Sequence, residues 1–152
     1  MEAQPDFKEL LALLNDHAVE HIIVGGFALA FHGAPRYTGD IDLYVRPTPQ
    51  NAERIIRALA AFGLVSSELS ATDFIHPDRV VQIGVPPVRV DFLTSITGVS
   101  WEEADAGKMP GSYGDVPVFF LGREQYVKNK KAIGRKKDLA DLEAIGEASA
   151  AE

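Results

Sequence analysis

The sequence predicts an α/β (α+β) domain, a mixed and mostly antiparallel sheet flanked by helices, with a helical C-terminal segment. Three observations predict it. Short apolar runs are interleaved with stretches of helical spacing. Two strand-like runs flank Pro86-Pro87 as a hairpin, so the sheet cannot be all parallel. Beyond residue 122 only helical spacing remains. A chain of 152 residues, 46% apolar and 24% charged, has globular composition and closes one core. The expected organisation is a single domain over 1–146, with a core of about 20–121 and C-terminal helices of about 123–146. The Ala/Glu-rich tail 147–152 is expected to be disordered.

Pro5 suits a first helical position, and Phe7, Leu10, Leu11 and Leu14 recur at helical spacing behind it. The apolar run His21–Val24 predicts a buried strand ending at Gly25-Gly26. A short helix over Phe27–His32 follows, stopped by Gly33 and Pro35. Alternation in Asp40–Val45 predicts a second strand. Thr48-Pro49 starts a helix whose apolar face is Ile55, Ile56, Leu59 and Phe62, with Gly63 as its stop. Val80–Val85 and Val88–Leu93 form the hairpin. Ser95–Asp115 holds four glycines and Pro110 and is expected to be loop, anchored by Trp101. Pro117–Leu121 predicts a last strand, Arg123–Ile133 a helix ending at Gly134, and Lys136–Ile145 a final helix.

Composition removes several function classes. There is no cysteine, hence no disulfide scaffold, thiolate metal site or cysteine nucleophile. The longest apolar runs, Ile22–Ala30 and Val116–Leu121, are too short to span a bilayer. Glu2 and Asp6 ahead of the first apolar stretch give the wrong charge for a secretory signal, so the expectation is a cytoplasmic protein with no membrane partner. A net charge of −7 argues against a surface that coats nucleic acid broadly.

The chemistry concentrates in a few residues. Asp40 and Asp42 lie two apart on a predicted strand, so their carboxylates share a face while Ile41, Leu43 and Val45 take the other. Two adjacent carboxylates repel unless a cation sits between them, and such oxygen ligands suit Mg²⁺ or Mn²⁺. The competing reading of an isolated Asp-x-Asp is the solvated face of an edge strand. Asp91 is an odd filler between Val90 and Phe92. If its strand lies beside that of Asp40 and Asp42, three carboxylates converge. The competing reading is an Arg89–Asp91 decoration on a sheet edge. Gly25-Gly26 at a strand-to-helix turn lets backbone N–H groups approach an anion, or is simply a tight turn.

Taken together these residues resemble the nucleotidyltransferase superfamily, the DNA polymerase beta-like fold. Its signature is a glycine pair after a strand, an acidic-x-acidic pair on the next strand, and a third acid on a later one. Here these are Gly25-Gly26, thirteen intervening residues, Asp40-Ile41-Asp42, and Asp91. The run Ile22-Ile-Val-Gly-Gly-Phe-Ala28, His32-Gly33, Arg36, Thr38, Asp40 and Asp42 is similar to the minimal bacterial AbiEii-like branch. So are Asn129-Lys130, Ala132, Gly134-Arg135, Lys137-Asp138 and Asp141 near the C-terminus. The resemblance implies a catalytic and metal-binding triad of Asp40, Asp42 and Asp91, and phosphate binding at Gly25 and Gly26. It implies a nucleotidyltransferase fold and Mg²⁺ or Mn²⁺ as cofactor.

Residues 123–137 carry seven basic residues against Glu124, a local charge of +6 that leaves −13 to the rest. Such asymmetry suits a cationic wall facing a triphosphate or an RNA end, or a solvated helix face with local ion pairs. Lys130, Arg135 and Lys137 are the candidate phosphate contacts, with Asp138 and Asp141 one helical turn apart to orient them. Arg36 and Thr38 precede the carboxylates and are further candidates, Arg36 either reaching a phosphate or pairing with Asp40. His17, His21, His32 and His76 share no metal spacing, and Asp73, His76 and Asp78 are expected at the surface. Neither a Gly-x-x-x-x-Gly-Lys-Ser/Thr loop nor a Gly-x-Gly-x-x-Gly after a strand is present.

The function expected is transfer of NMP from an NTP to a hydroxyl with release of pyrophosphate. The resemblance implies a toxin of a toxin–antitoxin pair, acting on RNA, with a cognate antitoxin as partner. An RNA 3′ end, a protein side chain and a small molecule all remain as acceptors, and free strand edges would admit a homodimer. The alternative is a non-catalytic nucleotide-binding or protein-interaction module working with a partner chain.

Overall fold

A computed structural model describes residues 4–34, 39–85 and 88–147. The chain opens with α1 (Pro5–Asp16), whose Phe7, Leu10, Leu11 and Leu14 are all buried. Gln4 caps it through its side chain, and Pro5 takes the first turn, where a missing N–H costs nothing. Next come β1 (His21–Val24), α2 (Gly25–Phe31), β2 (Asp40–Val45) and α3 (Pro49–Ala61). Thr48 caps α3 by accepting from the Asn51 N–H. The hairpin is β3 (Val80–Val85) and β4 (Val88–Leu93), with its Pro86-Pro87 turn outside the described residues.

The remainder is α4 (Trp101–Gly107), β5 (Met109–Tyr113), β6 (Val116–Phe120), α5 (Arg123–Ile133) and α6 (Lys136–Ala144). Two of these correct the expected loop over 95–115. Helix α4 forms because Ser100 caps the Glu103 N–H and Trp101 buries against Tyr44, ring centroids 5.2 Å apart. Strand β5 forms despite Pro110 and Gly111 because it is the outermost strand, where one side needs no ladder bonds. The short helix also starts two residues earlier than expected, at Gly25.

The sheet has six strands in the order β3-β4-β2-β1-β6-β5. Pairs β1/β2, β3/β4 and β5/β6 are antiparallel, and β1/β6 and β2/β4 are parallel. It is therefore mixed, as expected. Ile41, Leu43, Val90 and Phe92 face a continuous core, each at 3% exposure or less. Each such side chain is worth roughly 1.5–3 kcal/mol of transfer free energy. That burial anchors β2 and β4 side by side at the sheet centre. Gly134 closes α5 with φ of +70°, the left-handed cap that lets α6 turn back.

A candidate nucleotidyl-transfer site at the centre of the sheet

The register of β2 against β4 builds the site. Parallel pairing sets Asp42 opposite Asp91 and Asp40 opposite Arg89. Because side chains alternate, the core-facing set on both strands leaves Asp40, Asp42, Arg89 and Asp91 on the other face. The two strands carrying the carboxylates are thus neighbours, and β3 covers β4, so Asp91 is not on a sheet edge.

Charge is concentrated there. Arg89 Nη2 lies 2.8 Å from Asp40 Oδ2, and Arg89 Nε lies 3.6 Å from Asp91 Oδ1. Burial, followed by the charge of Asp91, pushes the Asp42 carboxyl up to about 7, and Asp42 shares a hydrogen bond with Asp91. Burial also raises Asp91, against the lowering effect of Arg89. Asp91 Oδ1 is buried and makes no hydrogen bond. Clustered carboxylates sharing a proton, with a buried oxygen unsatisfied, are the donor set that a hard divalent cation satisfies. Among the described residues no group of three or more acidic or histidine side chains is already gathered into a metal shell. Asp40 is engaged by Arg89 instead.

Gly25 sits against this cluster. Its φ is +68°, and a Cβ there would overlap the Asp42 carboxylate. Glycine is required twice, by the backbone and by the carboxylate. Gly25→Ala is expected to cost about 1–2 kcal/mol of stability from the left-handed backbone, and to displace Asp42. Transfer should fall at least about a hundredfold, since a misplacement of about 1 Å has that effect. Urea melts paired with a transfer assay check both effects. Gly26 follows in the first turn of α2, where no side chain caps the helix.

A cleft of about 590 Å³ opens over Gly25 and Asp42. Its other walls include Ser95–Gly98, Asn129, Lys130, Ile133 and Arg135, with Asp78 also lining it. The volume is that of a typical small-molecule site. Lys130 Nζ lies 3.3 Å from Asp138 Oδ1 and 3.6 Å from Asp141 Oδ2, with its side chain only 12% exposed. Arg135 Nε binds Asp138 Oδ2 at 2.7 Å. The two α6 carboxylates orient Lys130, as the one-turn spacing suggested. Lys137 is exposed and is not among the residues lining the cleft. Arg36 and Thr38 lie outside the described residues.

Sequence reasoning missed some of the wall. Asn129 donates to the Thr97 carbonyl at 2.8 Å and so joins α5 to the 95–98 loop. Asp78, exposed as expected, accepts from Ser95 Oγ at 2.7 Å at the cleft rim. Arg89 was legible only as a partner for Asp91; the two-residue spacing on a strand was the signal that it shares the carboxylates' face. His32 contacts the Leu121 carbonyl at 2.7 Å, a packing role. His21 contacts the Val19 carbonyl at 2.8 Å, and burial holds its pKa low.

Comparison with known proteins gives the family and the fold. Residues 10–111 match the family described as the nucleotidyl transferase AbiEii toxin of a type IV toxin–antitoxin system. No curated protein matches the chain. Among solved structures, a Thermotoga maritima protein described as a "putative nucleotidyltransferase" is similar in fold. Its TM-score is 0.56 at 18% identity, covering 93% of this chain and 92% of that one. Mixed sheet and family match together define a nucleotidyltransferase. The chain belongs to the AbiEii nucleotidyltransferase family. Among the described residues no helix is long and apolar enough to cross a membrane.

Proposed function

We propose that this enzyme moves an NMP from an NTP to a hydroxyl on RNA, as the toxin of a toxin–antitoxin pair with a cognate antitoxin as partner. The observation that carries the reading is the β2/β4 register, which places Asp42 opposite Asp91. Asp40, Asp42 and Asp91 would hold Mg²⁺ or Mn²⁺. When bound, the metal would neutralise the charge that develops on the triphosphate oxygens. Gly25 and Gly26 offer backbone N–H groups to the phosphates, with Lys130 and Arg135 supplying positive charge across the cleft. Arg36, Thr38 and Lys137 belong to the same phosphate-binding proposal. The acceptor oxygen bonds to the α-phosphorus, the bond to the bridging oxygen of the β-phosphate breaks, and pyrophosphate leaves. Asp91 takes the acceptor's proton or positions the group that does.

The match to a toxin family supports this reading, and the +6 segment from Arg123 to Lys137 favours a polyanion as acceptor. The test is label transfer from each α-³²P-labelled NTP onto total RNA, protein or small acceptors, with Mg²⁺ or Mn²⁺ against chelator. Metal-dependent labelling of RNA is expected. Absence of labelled product with all four NTPs and both metals refutes the proposal. Lys130→Met should lower kcat/KM for the NTP by roughly 10- to 100-fold, the worth of a charge-assisted contact. Steady-state kinetics would show a wild-type value if Lys130 only packs.

A further inference from the structure

We propose that Arg89 is a resident counter-cation that competes with divalent metal for Asp40 and Asp91, so that the site loads metal together with a triphosphate and not ahead of it. This rests on the reading that the three carboxylates form the metal site.

Arg89 stands opposite Asp40 in the ladder and two residues before Asp91, on their shared face. One arm of the guanidinium is bonded to Asp40 at 2.8 Å. The other approaches Asp91 Oδ1 at 3.6 Å without forming a hydrogen bond. The side chain is only 31% exposed, so water screens it partly. The site therefore carries a positive charge of its own, in contact with two of the three proposed ligands.

That charge cannot be removed by deprotonation, because a guanidinium stays protonated in proteins. A divalent ion entering alone must either displace it from Asp40 and Asp91 or sit beside a like charge. At separations of about 5 Å in a partly buried site that repulsion is substantial. A triphosphate reverses the balance. Its oxygens bring the negative charge that lets both cations stay, and they offer the guanidinium a bidentate partner. Arg89 thus positions the ligands and sets the order of loading. It is a positioning residue and not a catalytic one.

The test is Mn²⁺ bound per chain, by equilibrium dialysis of the full-length, metal-stripped protein at matched free Mn²⁺. Arg89→Gln is expected to bind Mn²⁺ alone at least about tenfold more tightly than wild type. Inorganic tripolyphosphate should raise wild-type affinity for Mn²⁺ at least about tenfold and that of Arg89→Gln by clearly less. A folded Arg89→Gln with unchanged or weaker Mn²⁺ affinity overturns the inference. So does wild-type loading that ignores tripolyphosphate, an arm that needs no variant to fold. Asp42→Asn separates the two levels. If it loses Mn²⁺ while Arg89→Gln gains none, only the loading order is wrong. If it binds Mn²⁺ like wild type, the metal site itself is wrong and both readings go.

Discussion

Asp42→Asn is expected to reduce nucleotidyl transfer by about a thousandfold, about 4 kcal/mol of transition-state stabilisation, while the fold survives. The carboxylate lies against Gly25, lines the cleft and sits opposite Asp91, and asparagine keeps one oxygen there but neither the second oxygen nor the charge. The same substitution has a second, opposite effect on stability. Asp42 is raised to about 7 by burial and by Asp91. In the metal-free protein it binds a proton more tightly folded than unfolded, so its contribution to stability is full below about pH 4. That contribution is lost as pH climbs through about 7. At pH 8 metal-free wild type therefore holds an unfavourable buried charge, worth at most about 4 kcal/mol. Asn carries none. Calorimetry in chelator should show wild type weaker at pH 8 than at pH 5, with the difference much reduced in the variant. A variant less stable than wild type at pH 8 would mean that the carboxylate is not under strain.

Asp138→Ala is expected to cost about 1–3 kcal/mol of stability, because it removes the buried acceptor of two charge-assisted hydrogen bonds, while Arg135 is left in water and Lys130 keeps Asp141. The side chain is fully buried. It accepts from the Arg135 backbone N–H at 3.2 Å and from Arg135 Nε at 2.7 Å, with Lys130 Nζ at 3.3 Å. Arg135 first, then Lys130, hold its carboxyl down at about 2. A depressed carboxyl contributes stability above about pH 4 and loses it as pH falls through 2, so the variant's deficit should shrink in acid. Thermal melts should place its Tm roughly 3–10 °C below wild type at pH 7. Its affinity for NTP should also fall, since Lys130 keeps only Asp141 to orient it. A Tm within a degree or two of wild type would show that the α5–α6 cluster is decoration.

The elements with strong periodicity were legible in the sequence, and the loop-like ones were not. Strand β2, helix α3 and the β3/β4 hairpin follow from alternation, capping and apolar spacing in short windows. Helix α4 was hidden by its seven residues, although Ser100 and Glu103 carry a capping signal at the right spacing. Met109–Tyr113 was hidden by Pro110 and Gly111, which read as a turn unless the strand is known to be outermost. For the site, Gly25, Asp40 and Asp42 are local in sequence, whereas their meeting with Asp91 is a matter of register. Strand spacing could state that meeting only as a condition, and the parallel β2/β4 ladder meets it. Asn129, Ser95 and Asp78 gave no local sign of a shared cleft, because α5 and the 95–98 loop come together only in three dimensions.

On the proposed function, one site joins the β2/β4 carboxylates, the Gly25 turn and Lys130 of α5 around a metal-bound triphosphate. Its most direct test is a crystal structure with Mn²⁺ and a non-hydrolysable NTP analogue, recorded at the manganese absorption edge. Anomalous density is expected in contact with Asp42 and Asp91, with a triphosphate lying between Gly25-Gly26 and Lys130. Manganese away from those carboxylates, or a triphosphate seated elsewhere on the molecule, would contradict it.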